Sequence, residues 1–235
     1  MLRSPHRAPT LLCALGVSLA VAGSAACQPP DAIYDLTGET GACGFGSVAE
    51  IADDFNDDAK SSDWAGYADP SASLAETNQQ IEMSVDGSLR AFAGYAWIGG
   101  PRSLLDCQVT LQVKQVGSTS PGILTYFSVP PADGSEGDIA FTHSGTALRM
   151  NVRAGGSDTS QGVPYDPVAH AWWRIRESAG TIHFEASADG LTWLPLFEAE
   201  TPEFAGSVAV NIGMGAPDPA PQGGFAILDN LNVTP

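Results

Sequence analysis

Positive charge is scarce in this chain of 235 residues. Lys and Arg together number 10, against 27 Asp and Glu, so the formal net charge is −17. After residue 30 the imbalance is 8 bases to 27 acids, or −19. A surface of this sign repels phosphate backbones, which argues against nucleic acid as a partner. The acidity is explained either by solubility or by cation binding, with calcium as the cation that such a surface would suit.

The chain also lacks any helical period sustained over ten residues and any internal repeat. Its 26 glycines and 17 prolines instead suit short strands joined by turns. The stretch Leu105–Val116 is the clearest case, because Val109, Leu111 and Val113 alternate with polar residues. About a dozen stretches of this kind between Ile51 and Val233 predict an all-β protein that forms a two-sheet antiparallel sandwich.

A hydrophobic run long enough to cross a bilayer is missing as well. The apolar run Leu11–Ala22 is shorter than the roughly 18 residues required. It follows a basic start and precedes small residues, as in a secretory signal peptide, which we place at residues 1–26. The protein is therefore expected to be exported.

The end of this segment, Ser24-Ala25-Ala26-Cys27, resembles the lipobox of bacterial lipoproteins. In that motif small residues precede the cysteine that receives the lipid, which corresponds to Cys27. Ser24 departs from the Leu usually found at its position. The resemblance implies a lipoprotein of the bacterial cell envelope, anchored to the membrane at Cys27 and tethered by residues 27–47. Ordinary cleavage in the same stretch, giving a freely secreted protein, is the alternative.

Only four cysteines are present, and Cys13 lies inside the signal segment. If Cys27 carries lipid, Cys43 and Cys107 remain as a single pair in an oxidising compartment, where a disulfide is expected. Two unpaired buried thiols are the alternative. No C-x-x-C or H-x-x-x-H spacing is present to support a zinc site.

The most ordered passage is HAWWRIRESAGTIHFEASADGLTW, residues 170–193. It predicts a hairpin with Trp173 and Ile175 facing the core and a turn at Ser178–Gly180. The runs Trp172–Glu177, Gly180–Glu185 and Ser187–Trp193 resemble a motif of bacterial extracellular domains in the concanavalin A-like lectin/glucanase superfamily.

The resemblance covers roughly residues 51–234 and implies a jelly-roll sandwich, which we place at residues 48–235. Asp53–Asp57 and Leu228–Val233 are similar to the first and last strands of that class. The superfamily includes glycan-binding modules, glycosidases and domains without a known ligand, so the resemblance is more informative about fold than about function.

Motifs of catalysis are missing. Members of the superfamily that cleave glucans often carry an E-x-D-x-x-E strand, and this chain has no match to it. Glu198 and Glu200 have the parity of one strand face, but Pro202 ends the run and we interpret them as a solvated edge. There is no G-x-S-x-G elbow and no phosphate-binding loop.

Most of the remaining bases lie on the polar faces of predicted central strands. Such a face could bind an acidic or polyhydroxylated glycan, or it could balance nearby acids. Trp172 is either a stacking platform for a sugar ring or a ring covered by Arg174 and its neighbours. The expected ligand-binding residues are Lys114, Arg149, Arg153, Trp172, Arg174, Arg176, His183 and Trp97, with Tyr95 and Tyr126 as further stacking candidates that would otherwise be core or rim.

Acidic side chains near both ends of the domain form a second candidate site. If the first and last strands are neighbours, Asp54 and Asp229 could help to hold a structural calcium ion. Local capping of turns and strand ends is the simpler interpretation of the same aspartates.

The sequence therefore favours an exported, lipid-anchored, non-enzymatic binding module for carbohydrate. A structural or protein-interaction domain of the envelope is the alternative, and an unrecognised glycosidase ranks last.

Lipidation can be tested directly. Expression in a bacterial host should give a mature protein with a diacylglyceryl mass increase on Cys27, detected by mass spectrometry. Cys27→Ser should remove both this increase and partitioning into the membrane fraction. A wild-type mature protein without the added mass would exclude the anchor.

Overall fold

The computed structural model describes residues 43–235, which form fourteen strands and two short 3₁₀ helices. The expected signal peptide, Cys27 and most of the expected tether lie outside the described residues. Within residues 43–235, no helix is long and apolar enough to cross a bilayer.

The strands are short, as expected for a chain rich in turn residues. The 3₁₀ helices are Val48–Glu50 and Glu203–Gly206. The strands are β1 (Trp64–Ala68), β2 (Ala72–Thr77), β3 (Gln80–Val85), β4 (Ala91–Trp97), β5 (Gln108–Gln115), β6 (Leu124–Ser128), β7 (Asp138–Ser144), β8 (Ala147–Ala154), β9 (Ser157–Pro164), β10 (Trp172–Ser178), β11 (Thr181–Ser187), β12 (Leu194–Glu200), β13 (Asn211–Ala216) and β14 (Gly224–Asp229).

The strands form two antiparallel sheets of seven strands each. Sheet A has the order β1-β4-β13-β6-β7-β8-β9, and sheet B has the order β12-β11-β10-β5-β14-β3-β2. The two sheets pack face to face, which confirms the predicted all-β jelly-roll sandwich.

The core lies between the sheets and is built from alternate residues of each strand. Trp173 and Ile175 of β10 are both fully buried, as the hairpin pattern predicted. The ring of Trp173 stacks on Phe141 of sheet A, with ring centroids 5.3 Å apart. Phe184 meets the same Phe141 ring edge-on at 5.2 Å. This aromatic contact joins the middle of one sheet to the middle of the other.

The predicted turn at Ser178–Gly180 joins β10 to β11. Ala179 and Gly180 both have positive φ, 51° and 82°, which is the backbone of a two-residue hairpin turn of the mirror-image type. Glycine adopts this conformation without steric cost, whereas in Ala179 the Cβ makes positive φ energetically unfavourable. The hairpin pairs Trp173 with Ala186 and Ile175 with Phe184, so the register follows the apolar face.

A disulfide and a set of side-chain hydrogen bonds hold the two ends of the described chain against sheet B. Cys43 and Cys107 are joined by a disulfide, the pairing expected from the cysteine count. The side chain of Asn232 accepts a hydrogen bond from the Thr110 amide at 2.8 Å and donates to the carbonyl oxygens of Val48 and Ile51, each at 2.8 Å. The first and last described segments therefore lie together on this sheet.

His143 is the unusual member of the core. It is completely buried on β7, and neither ring nitrogen has a hydrogen-bond partner within residues 43–235. Its ring packs edge-on against Tyr165, with centroids 4.6 Å apart. Burial lowers the pKa of His143 from its usual 6.5, and the backbone of Gly145 offsets this only in part. The folded protein thus keeps this imidazole neutral.

We expect His143 to weaken the fold in acid. Its pKa is lower in the folded than in the unfolded chain, so its stabilising effect is complete above about pH 6.5 and is lost as the pH falls. The loss approaches about 1.4 kcal/mol per pH unit until the folded-state pKa is reached. Urea unfolding between pH 7 and pH 5 should show a smaller loss for His143→Leu than for the wild type. The partly exposed His183, changed to Leu, is the control and should keep the wild-type loss; equal pH dependence in His143→Leu and wild type would exclude this role.

Candidate functional site

The expected ligand-binding residues do not form one surface. Lys114, Trp172, Arg174, Arg176 and His183 belong to sheet B and share its outer face. Arg149 and Arg153 lie on the outer face of sheet A, at the opposite side of the sandwich. Trp97 has the parity of the interior on β4, and its ring meets the buried Trp64 edge-on at 5.4 Å. Strand parity distinguishes inside from outside, but it cannot tell which sheet a strand joins.

The two arginines of sheet B are bound within the protein. Arg174 Nε lies 2.6 Å from Glu185 Oε2, and Arg176 Nη2 lies 3.3 Å from Glu185 Oε1. All three side chains are buried, and the Arg174 guanidinium is covered by the Trp193 ring at 4.3 Å. Burial alone would raise the pKa of Glu185, but the hydrogen bonds and charges of both arginines outweigh it and lower the pKa. Arg174 and Arg176 therefore pair with Glu185 inside the protein, and their charges are not presented to a ligand.

The expected platform of Trp172 is not available. Its side chain is 4% exposed, and it lies against the turn at Gly190, where an added Cβ would come within 3.0 Å of the ring. Trp193, rather than Trp172, takes the position over Arg174. Trp97 donates its indole N–H to the Gly100 carbonyl at 2.9 Å. Both expected stacking residues are thus held by neighbouring groups.

The two aspartates expected to bind calcium, Asp54 and Asp229, have different surroundings. Asp229 is buried and its Oδ2 lies 2.6 Å from Lys114 Nζ, so its charge is already balanced. Asp54 is exposed, whereas its neighbour Asp53 accepts a hydrogen bond from the Trp64 indole at 3.0 Å. Within residues 43–235, no three His, Cys, Asp or Glu side chains come together in a way that could hold a metal ion.

A different constellation lies on the outer face of sheet A. Cross-strand pairing lines up Tyr67, Gly94, Gly213 and Tyr126 across four adjacent strands. The hydroxyl groups of Tyr67 and Tyr126 are hydrogen-bonded to each other above the two glycines. Burial raises the pKa of both phenols.

The glycines are required by the tyrosines. A Cβ on Gly94 would lie 2.9 Å from the Tyr67 hydroxyl, and one on Gly213 would lie 2.5 Å from the Tyr126 hydroxyl. Glycine at both positions lets the phenols lie low on the sheet. The row continues through Thr142 to the exposed Arg149 on β8. The result is a track of aromatic and polar groups that runs across the strands.

Asp138 lies on this same face, at the start of β7. Burial raises the pKa of its carboxyl group to about 6, although the charge of Arg153 and hydrogen bonds from Ile139 and Ser128 oppose the shift. Within the described residues its Oδ1 has no hydrogen-bond partner. A carboxylic acid that stays protonated up to about pH 6 can donate a proton in a reaction.

A second carboxylate lies in the same cross-strand row. Asp138 pairs with Arg153 on β8, and Arg153 pairs with the exposed Asp158 on β9. Adjacent antiparallel positions are about 5 Å apart, so the two aspartate Cα atoms are separated by about 10 Å. The face therefore combines two carboxylates of different environment with a positive charge between them.

Sequence reasoning missed Asp138, Asp158 and Tyr67. Asp138 follows the loop sequence PPADGSEG and precedes a mostly apolar run, so it has the appearance of a strand-end aspartate. The alternation of Asp138, Ala140 and Thr142 with apolar residues could have indicated that Asp138 lies on the outer face of β7. Asp158 belongs to β9, whose sequence SDTSQGVP is polar on both faces and shows no strand period.

No family model matches this sequence, and no curated protein does. Solved structures do resemble the fold. LamA from Zobellia galactanivorans, in complex with laminaritriose and laminaritetraose, has a TM-score of 0.56 and 8% identity over 77% of this chain and 96% of its own. The endo-β-1,3-glucanase of Pyrococcus furiosus has a TM-score of 0.57 and 9% identity over 77% of this chain and 91% of its own. An immunostimulatory antigen and pseudo-β-1,3-glucanase of Mycobacterium tuberculosis has a TM-score of 0.53 and 12% identity over 77% of this chain and 96% of its own.

This protein has the concanavalin A-like jelly-roll fold. At identities this low the likeness shows the fold alone, but it overturns one expectation. The sequence favoured a non-enzymatic binding module, with a structural domain as the alternative and a glycosidase last. Structures similar to this chain include a named endo-β-1,3-glucanase, so the prediction of a non-enzymatic module was wrong.

The buried ion network of sheet B gives a stability prediction. Glu185→Gln leaves two buried guanidinium groups without their carboxylate, which should lower the free energy of unfolding by about 3 kcal/mol or more. Urea titration at pH 7 measures the change. Glu198→Gln is the control, since Glu198 is exposed and forms an ion pair with the partly exposed His183 at 3.0 Å; the change should cost less than about 1 kcal/mol. A cost for Glu185→Gln as small as that of the control would contradict this role.

Proposed function

We propose that this protein is a glycoside hydrolase that binds a polysaccharide across the outer face of sheet A and uses Asp138 as its general acid. The observation that carries the proposal is a largely buried carboxyl group with its pKa raised to about 6, on the strand face that also carries Tyr67 and Tyr126. The similarity in fold to an endo-β-1,3-glucanase supports a β-linked glucan as substrate.

The chemistry requires a proton at the leaving oxygen. Below about pH 6 the Asp138 carboxyl group carries that proton. Arg153 limits the shift of the pKa, so the acid is weak enough to hold its proton and strong enough to release it. Proton donation weakens the glycosidic bond as the sugar acquires oxocarbenium character.

The second carboxylate that such a reaction requires is assigned to Asp158. Its Cα lies about 10 Å from that of Asp138, judged from strand spacing. Asp158 would then be the second member of the carboxylate pair, as the base or nucleophile that glycoside hydrolysis requires.

The tyrosine row provides the binding surface. Tyr67 is 38% exposed and its phenol lies above Gly94, so part of the ring is open to a sugar. Sugar rings pack their apolar C–H faces on aromatic rings while their hydroxyl groups bond to polar neighbours. Thr142 and Arg149, farther along the same row, provide such neighbours. The glycan chain would cross the strands rather than run along them.

We also propose that the protein works outside the cytoplasm. The signal-like residues 1–26 and the lipobox-like Cys27 support a place on the bacterial envelope, where polysaccharides are accessible.

The proposal is tested by incubating the purified full chain with laminarin, a β-1,3-glucan, and with a panel of other β-glucans, and by measuring reducing ends and oligosaccharide products. Asp138→Asn should reduce the rate by about 100-fold or more, because the amide cannot donate the proton. Asp158→Asn should also reduce it. Glu136→Gln, a change of an exposed carboxylate in the loop before β7, is the matched control and should retain the wild-type rate.

The pH dependence provides an independent check. The wild-type rate should fall about tenfold per pH unit above about pH 6, as Asp138 loses its proton. Wild-type protein that releases no product from any β-glucan between pH 4 and pH 7 would exclude the proposal. Activity that survives Asp138→Asn would exclude the assignment of the acid.

A further inference from the structure

Strand β9 is the most exposed strand of the sandwich. Every residue of it is exposed except Val163, which is partly buried. Its one neighbour within sheet A is β8, because the sheet ends at β9. Thr159 and Gln161 share the inward parity of Val163 and are exposed all the same, so sheet B does not cover them. The strand is therefore open along its edge and on both faces.

The free edge of β9 presents a row of backbone groups. The Tyr165 amide donates to the Thr146 carbonyl at 2.8 Å, in the register that pairs β8 with β9. Because bonding alternates along an antiparallel strand, the odd-numbered residues of β9 bond to β8. Asp158, Ser160 and Gly162 direct their N–H and C=O groups away from it. Such a row is a template for the addition of another strand.

Two other sheet edges are less suited to strand addition. On β12, Pro195 lacks an N–H, and Glu198 and Glu200 add charge. On β1, the Lys60 amino group donates to the Trp64 carbonyl at 2.6 Å and so occupies an acceptor beside that strand. Proline and charge are the usual means by which proteins protect an edge. In β9 the one charged residue is an aspartate, and the one proline is its last residue.

The sequence of β9 is complementary to itself when two copies run antiparallel. With Ser160 opposite Ser160 of a second copy, the outward backbone groups meet, and Asp158 lies opposite Gly162 of that copy. Gly162 also pairs with Arg149 on β8, and a Cβ on this glycine would have no other atom within 4 Å. Arg149 can therefore extend over Gly162 to Asp158 of the second copy, whose Cα would be about 10 Å from its own. By symmetry this ion pair would form twice.

The charge of the hairpin favours such a contact. Residues 147–164, which comprise β8, β9 and their turn, contain two Arg and one Asp, or +1, in a chain whose net charge is −17. Two copies repel each other over most of their surface, and they can approach most closely where the local charge is not negative. Arg149 is exposed, and within residues 43–235 it forms no ion pair.

From this combination we infer that the protein forms a symmetric dimer by antiparallel pairing of β9 with β9 of a second copy. Sheet A would then continue from one copy into the other. Strand addition covers β9 from the side and leaves the outer face open, so Asp158 remains accessible from that face. The inference does not depend on the proposed function.

Sedimentation equilibrium of the purified full chain, from low to high micromolar concentration, tests the inference. We expect a reversible equilibrium between monomer and dimer. Ser160→Pro removes the outward N–H at the centre of the pairing but no hydrogen bond to β8, and it should weaken the dimer about tenfold or more. Ser160→Ala keeps this N–H and should dimerise as the wild type does.

Charge reversal tests the ion pair between the copies. Arg149→Glu or Asp158→Arg alone would bring like charges together at both contacts, and each should weaken the dimer about tenfold or more. An equimolar mixture of the two variants should dimerise again, because both contacts then join opposite charges. Arg90→Glu makes the same change of charge at an exposed residue before β4, near the other end of sheet A, and should dimerise as the wild type does.

Three results would overturn the inference. They are a wild-type chain that stays monomeric, a dimer that Ser160→Pro leaves intact, and a mixture of Arg149→Glu with Asp158→Arg that dimerises no better than either variant alone. Asp138→Asn should not change the equilibrium, so a failure of the glycosidase proposal leaves this test intact.

Discussion

The whole structure depends on the burial of two sheet faces against each other. Trp173 of sheet B and Phe141 of sheet A meet at 5.3 Å in the centre of the sandwich, and Phe184 closes on the same ring. Because successive side chains of a strand point to opposite faces, the inward position of these residues also determines which of their strand neighbours point outward. The outer face of each sheet is therefore decided by the same contact that stabilises the core.

The outer faces of the two sheets differ in the side chains that they carry. On sheet B, Arg174, Arg176 and Glu185 form a buried ionic network beneath Trp193, and the chain segments around Cys43 and Asn232 lie on the same sheet. On sheet A, glycines beneath Tyr67 and Tyr126 leave a low, partly open surface. A face whose charges are already paired stabilises the fold, whereas the buried Oδ1 of Asp138 has no hydrogen-bond partner within the described residues.

Acidity also takes different chemical forms across the molecule. Glu185 is kept ionised by two arginines, while burial keeps Asp138 protonated up to about pH 6. A net charge of −17 therefore includes a buried ion network and a candidate acid catalyst, which the sum of charges alone cannot distinguish.

The sequence by itself determined the strand period, the hairpin from Trp172 to Ser187 and the inward position of Trp173 and Ile175, because these depend on local alternation and turn chemistry. The sequence did not predict β9, because that strand is polar on both faces and shows no apolar alternation. It also grouped Arg149 with Arg174, although these residues lie on the outer faces of different sheets. Only the tertiary structure decided which strands are neighbours, and so placed Asp138 beside Arg153, Tyr67 beside Tyr126 and Trp172 under Gly190. Such contacts join residues up to 59 positions apart, and no local pattern encodes them.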